Sequence, residues 1–94
     1  MPVTILIPSA LRSETGGEAR LKLTVEGPVS LRDVLDAVAV SHPRLERRLR
    51  DESGLLRRFV NFYVGDEECR ALDGQDTQVA EGQDVQILPS VAGG

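Results

Sequence analysis

Val3, Ile5 and Ile7 alternate with Thr4, Leu6 and Pro8 along the first apolar stretch, and this period of two in β-branched residues predicts a strand. Both of its sides are largely apolar, so it needs core on two faces, or core on one and a partner on the other. Thr15-Gly16-Gly17-Glu18 carries turn chemistry, because glycine reaches positive φ without a Cβ clash. Leu21, Leu23 and Val25 then alternate with Lys22 and Thr24, which completes a hairpin.

Gly27-Pro28 ends the second strand, and a helix follows. Ser30 suits its N-cap, Asp33 at N3 makes a weaker version of the capping box, and Val29 and Val34 are spaced for a hydrophobic staple. Leu31, Val34, Leu35 and Val38 recur at helical spacing, which leaves Arg32, Asp33 and Asp36 in water. Pro43 stops this helix at about His42. Leu45 and Leu49, four apart in an arginine-rich run, predict a short second helix, and the chain from Asp51 to Leu56 reads as loop.

Phe59-Val60-Asn61-Phe62-Tyr63-Val64 is the strongest strand signal in the chain, and Gly65-Asp66 turns it into a weaker strand around Cys69. Glu81-Gly82-Gln83-Asp84 reads as a tight turn into a last strand, Val85-Gln86-Ile87-Leu88, capped by Pro89. The order of elements predicts an α+β domain over residues 1–89, with one main helix packed on one face of a mixed sheet, and a flexible tail at residues 90–94 ending in Gly-Gly. Strand parity places Val3, Ile5, Ile7, Val60, Phe62, Val64, Val85 and Ile87 inward with Leu35 and Val38. Leu6, Pro8, Phe59, Tyr63 and Leu88 then fall on the opposite face. Such a set on a face with no helix of its own is the expected partner-binding surface.

Composition narrows the functional classes. At 94 residues, 40% of them apolar, the chain has the size of one small core, and its apolar runs are too short to span a bilayer. The start Met1-Pro2-Val3 shows neither a basic leader nor a cleavage site, and the single cysteine, Cys69, closes no internal disulfide, so a cytoplasmic location is expected. A net charge of -4 argues against nucleic acid as the main partner. The charge is uneven: Arg44, Arg47, Arg48, Arg50, Arg57 and Arg58 cluster, whereas Asp66, Glu67, Glu68, Asp73, Asp76, Glu81 and Asp84 make the later chain acidic. Both blocks are read here as solvated surface.

Catalytic constellations are missing. Cys69 has only His42 as a conceivable base, and the expectation is a half-buried apolar cysteine and a histidine at a helix end. One cysteine and one histidine lack the ligand spacing of a zinc site, so no metal is expected, and Gly16-Gly17 lacks the context of a phosphate loop. Gly93 and Gly94 are different. Two residues without side chains make a thin tether able to enter a narrow channel and bring the Gly94 carboxylate to an enzyme's active site; a frayed terminus is the plainer alternative.

These residues together resemble the MoaD/ThiS family of ubiquitin-like β-grasp sulfur carriers, most closely its actinobacterial CysO type. The resemblance covers nearly the whole chain. It rests on Ile7-Pro8 with Leu11-Arg12 and Thr15-Gly16-Gly17, on Arg58-Phe59-Val60-Asn61 with Tyr63-Val64, and most specifically on Ile87-Leu88-Pro89-Ser90-Val91-Ala92-Gly93-Gly94. Ser90 departs from the alanine more typical of that type.

The resemblance implies a β-grasp fold whose first and last strands run parallel in the middle of the sheet. It also implies a protein that is not itself an enzyme and binds no cofactor of its own. An E1-like partner holding ATP and Mg²⁺ adenylates the Gly94 carboxylate, with Gly93 beside it, and sulfur displaces AMP to leave a thiocarboxylate. Leu6, Pro8, Phe59, Tyr63 and Leu88, with Val91 and Ala92 of the tail, are the expected contacts to that enzyme. Further partners implied are a cysteine synthase using O-phosphoserine and a metallopeptidase that releases cysteine. Carriers serving molybdopterin or thiamin synthesis are the near alternative, and a ubiquitin-like protein modifier or adaptor is the alternative of another class.

Overall fold

The computed structural model describes residues 1–89. In chain order the elements are β1 (Pro2–Leu6), a 3-10 helix (Ser9–Thr15), β2 (Arg20–Thr24), β3 (Val29–Ser30), α1 (Leu31–Ser41), α2 (Pro43–Leu49), β4 (Val60–Val64), β5 (Glu67–Glu68), 3-10 turns at Cys69–Ala71 and Gly74–Asp76, β6 (Gln78–Val79) and β7 (Asp84–Pro89). The main sheet has the order β2-β1-β7-β4-β5, and β3 with β6 forms a second, two-stranded sheet that sequence periodicity did not signal. Strands of two residues are too short to carry a period.

β1 and β7 run parallel, with Thr4, Ile5 and Leu6 beside Asp84, Val85 and Gln86. The expected hairpin of β1 and β2 is present, but its connection is longer than a turn: the 3-10 helix fills it, and Gly16, at φ 70°, closes it in the left-handed region that suits glycine. Pro89 lies beyond the last β7 residue paired with β1 and opposite Val60, so its missing N–H interrupts no central ladder.

The helix signals act as predicted. The Ser30 Oγ accepts from the Asp33 N–H at 3.2 Å, and an Asp33 carboxylate oxygen accepts from the Ser30 N–H at 2.9 Å. Two of the donors that every helix start leaves without an intrahelical partner are thereby satisfied. Pro43 cannot continue α1 and instead occupies the first turn of α2, where a missing N–H costs nothing. The Arg50 side chain, almost wholly buried, ties this helical layer together: it donates to Glu46 at 2.9 Å, Asp36 at 2.9 Å and Gln75 at 3.1 Å.

All eight strand residues assigned inward by parity are buried, and so are Leu35 and Val38; they join Leu31, Val34, Leu45 and Leu49 of the two helices in one core. Four local expectations change. Arg50, read from the sequence as part of a solvated arginine block, is buried and held by the contacts above. The strand expected from Phe59 begins at Val60, and Phe59 lies in the preceding turn. The strand expected around Cys69 is only Glu67–Glu68, because the backbone enters a 3-10 turn at Cys69. Cys69 itself is fully buried and not half-buried.

Phe62 is the largest side chain with no solvent exposure. Phe62→Ala lowers unfolding stability by about 3 to 5 kcal/mol in chemical denaturation, the range of a large core truncation.

Candidate functional site

β7 determines where the site lies, because the chain leaves the described sheet at its end, Pro89. Gly93 and Gly94, expected to carry the chemistry, and Val91 and Ala92, expected to contact a partner, lie outside the described residues. What the fold shows is the platform around residue 89.

On the sheet face opposite the core, the paired register lines up Arg20, Leu6, Gln86, Tyr63 and Glu68 across all five strands. Leu88 stands beside Asn61 one step nearer the β7 end and is 38% exposed. Leu6, Pro8 and Tyr63 are half-buried. The face is thus less apolar than a count of its hydrophobic residues implies, because Gln86 stands between Leu6 and Tyr63. Alternation along β7, with Val85 and Ile87 inward, already places Gln86 outward in the sequence.

Two shallow clefts flank the end of β7. One, of about 300 Å³, gathers Leu6, Pro8 and Leu88 with Arg12, Arg20 and Gln86. The other, of about 430 Å³, is lined by Leu11, Phe59, Val60 and Pro89 with Arg47, Arg48 and Arg57. Phe59 therefore does not join the Leu6 group. It sits in the turn before β4, 60% exposed, on the helix side of the exit. Strand parity extended one residue too far put it on the open face.

Polar contacts hold these walls in place. The Arg12 Nε–H donates to the Ile7 carbonyl at 3.1 Å, and the Arg57 Nε–H donates to the Arg47 carbonyl at 2.7 Å. Arg70 donates to the Arg57 carbonyl and to Asn61, each at 2.9 Å, so the turn carrying Phe59 is tied to β4 and to the Cys69 turn.

The structure does not join Cys69 and His42 into a reactive pair. The Cys69 thiol is fully buried, and burial first, then the neighbouring Glu68 charge, pushes its pKa above the ordinary thiol value. His42 caps the end of α1, its Nδ1 2.9 Å from the Ser41 hydroxyl. Among the described residues no group of three or more His, Cys, Asp or Glu side chains could hold a metal ion, and no helix is long and apolar enough to cross a membrane.

Comparison with known proteins adds what residues 1–89 do not contain. Residues 5–94 match the model of the ThiS family. The chain is 41% identical to sulfur carrier protein CysO of Mycobacterium tuberculosis over 96 aligned positions that cover all of both proteins. It is 33% identical to small archaeal modifier protein 1 of Haloferax volcanii, with 87% of this chain and 90% of that protein covered. Among solved structures, CysO in the crystal structure of the Amycolatopsis orientalis BexX/CysO complex matches with a TM-score of 0.81 and 39% identity, covering 98% of this chain and 99% of that one. The fold is therefore the ubiquitin-like β-grasp.

A buried, protonated thiol is a poor nucleophile. Cys69 resists alkylation by iodoacetamide in the native protein and reacts only after denaturation, read as the mass of the intact chain before and after urea.

Proposed function

This chain belongs to the ThiS family, and on that premise we propose that it is a sulfur carrier, acted on by other enzymes and not an enzyme itself. The observation that carries the reading is full-length similarity to a sulfur carrier protein, within a family match that runs through Gly94.

A carboxylate is a poor electrophile until one oxygen becomes a good leaving group. In the proposed reaction the Gly94 carboxylate attacks the α-phosphorus of ATP and releases pyrophosphate. ATP and Mg²⁺ belong to an E1-like partner enzyme. A sulfur nucleophile then attacks the glycyl carbonyl, AMP departs, and the thiocarboxylate remains. Gly93 and Gly94 keep the tether narrow, and β7 presents it from a folded handle that the partner recognises. Sulfur held in this form is nucleophilic yet never released as free sulfide.

Similarity to CysO favours cysteine biosynthesis as the destination. There the thiocarboxylate meets a cysteine synthase working on O-phosphoserine, and a metallopeptidase later releases the amino acid. Delivery to molybdopterin or thiamin synthesis uses the same activation step. A second reading, attachment of the same carboxyl group to protein amines, draws on the similarity to small archaeal modifier protein 1.

Two outcomes test the proposal. Deleting Gly94 abolishes ATP–pyrophosphate exchange with the activating enzyme and leaves the melting temperature unchanged; full exchange by the deletion variant sinks the reading. In protein from its native host, intact mass reports exchange of one oxygen for sulfur, an added cysteine supports the cysteine route, and a protein adduct supports the modifier reading.

On the open face, Tyr63→Ala or Leu88→Asp weakens binding to the activating enzyme by about 1 to 3 kcal/mol, as expected at an interface anchor. Isothermal calorimetry measures the loss, and chemical denaturation of the same variants separates it from unfolding.

A further inference from the structure

The net charge of -4 hides a strong polarity. Arg32, Arg44, Arg50 and Arg70 each make a salt bridge, to Asp76, to Glu14, to Asp36 with Glu46, and to Glu68. The other six arginines, Arg12, Arg20, Arg47, Arg48, Arg57 and Arg58, make none among the described residues. All six lie at one end of the molecule. Arg12 and Arg20 line the cleft beside Leu88, Arg47, Arg48 and Arg57 line the cleft beside Pro89, and Arg57 and Arg58 line a third hollow with Phe59 and Leu55. At the opposite end of the sheet, Asp66, Glu67 and Asp84 share a hollow and make no salt bridge among the described residues either.

A chain with more carboxylates than guanidiniums had acids to spare for pairing and leaves these six arginines without them. The few acids nearby are engaged locally: Glu14 meets Arg44, and Asp51 accepts from its own loop at Ser53 and Leu55, although Arg57 lies near enough to help lower its pKa. Phe59 and Leu55, 60% and 63% exposed, stand beside guanidiniums that make no salt bridge among the described residues. Exposed aromatic and aliphatic groups beside arginine are the composition of a protein-binding anchor more than of a face meant for water alone.

Residue 94 is five positions beyond Pro89, a reach of at most about 16 to 18 Å for an extended chain. Any enzyme that takes residue 94 into its active site brings its surface against this ring. We propose that the part of this ring formed by Arg47, Arg48, Arg57 and Arg58, with Phe59 shared between its two clefts, is a second docking surface, distinct from the open sheet face, that receives an acidic protein rim. The identity of the partner rests on the carrier reading; the charge and its placement do not. The separated charges also orient the approach, since a positive pole at the exit and a negative pole at the far end turn the exit toward an acidic mouth.

The test uses Arg48→Glu combined with Arg58→Glu, neither side chain being a hydrogen-bond donor or acceptor within the described fold, and Asp66→Lys combined with Glu67→Lys as the control at the far end. Amide NMR follows titration with an oligo-glutamate peptide and, separately, with oligothymidylate. The peptide shifts amides at residues 47–48 and 57–59, and the shifts vanish in the arginine variant, whose remaining spectrum is unchanged, and persist in the control. With the activating enzyme, association slows about tenfold in the arginine variant at low ionic strength, and the difference closes at high salt as the charges are screened. Peptide shifts scattered over the surface, or tighter binding of oligothymidylate at the ring, overturn the proposal, as does an unchanged association rate. Ring shifts in a protein that no enzyme adenylates support the surface and sink the carrier reading instead.

Discussion

The parallel pairing of β1 with β7 is the constraint on which the rest of the structure depends. It joins residues from the two ends of the described chain at the middle of the sheet, Ile5 beside Val85. Parallel neighbours need a long crossover, and here everything between them, the β2 hairpin, both helices and β4, forms that crossover. Because β7 also pairs antiparallel with β4, the inward residues Val85 and Ile87 are covered from both sides, with Phe62 opposite Ile87. The same pairing sets the direction of β7 and thereby the end of the sheet at which Pro89 lies.

The helical layer closes the core and is secured by the Arg50 network. Burial opposes its charge, but the bonds and attraction to Glu46 and Asp36 outweigh that cost and raise its pKa above the ordinary arginine value. Its third contact, Gln75, donates in turn to the Gly54 carbonyl at 2.8 Å, so one guanidinium connects α1, α2, the loop after α2 and the turn before β6. A buried ion pair adds little net stability over an apolar replacement, yet removing one partner is costly. Its contribution here is placement: it holds the loop that leads to Phe59.

On the proposed carrier reading, the chain leaves the chemistry to its partners, and its own surface has to serve recognition. The end of β7 is flanked by an open sheet face on one side and a cleft under α2 on the other. An enzyme gripping both would hold the stem at residue 89 from two directions. Positioning of that kind raises the effective concentration of the reacting carboxyl group in the partner's active site. The buried Cys69 is compatible with this division of labour, since sulfur is proposed to travel at the glycyl carboxyl and not on a side chain.

Alternation in Val3–Ile7, Val60–Val64 and Val85–Leu88, the Ser30 and Asp33 cap, and the Pro43 break were legible in the sequence, because each is a local pattern whose period or stereochemistry allows one solution. They determined the elements, the inward residues and the α+β class. Resemblance, and not periodicity, supplied the parallel central pair. The short β3 and β6 strands, the 3-10 turn at Cys69, and the placement of Phe59 outside β4 were not legible, since contacts distant in sequence stabilise them. The arginines show the same division most clearly. Along the chain, Arg47, Arg48, Arg57 and Arg58 read as ordinary solvated charge, and Arg12 and Arg20 lie far from them in sequence. Only the tertiary structure gathers them around the end of β7, because which guanidiniums find a carboxylate depends on where distant elements pack.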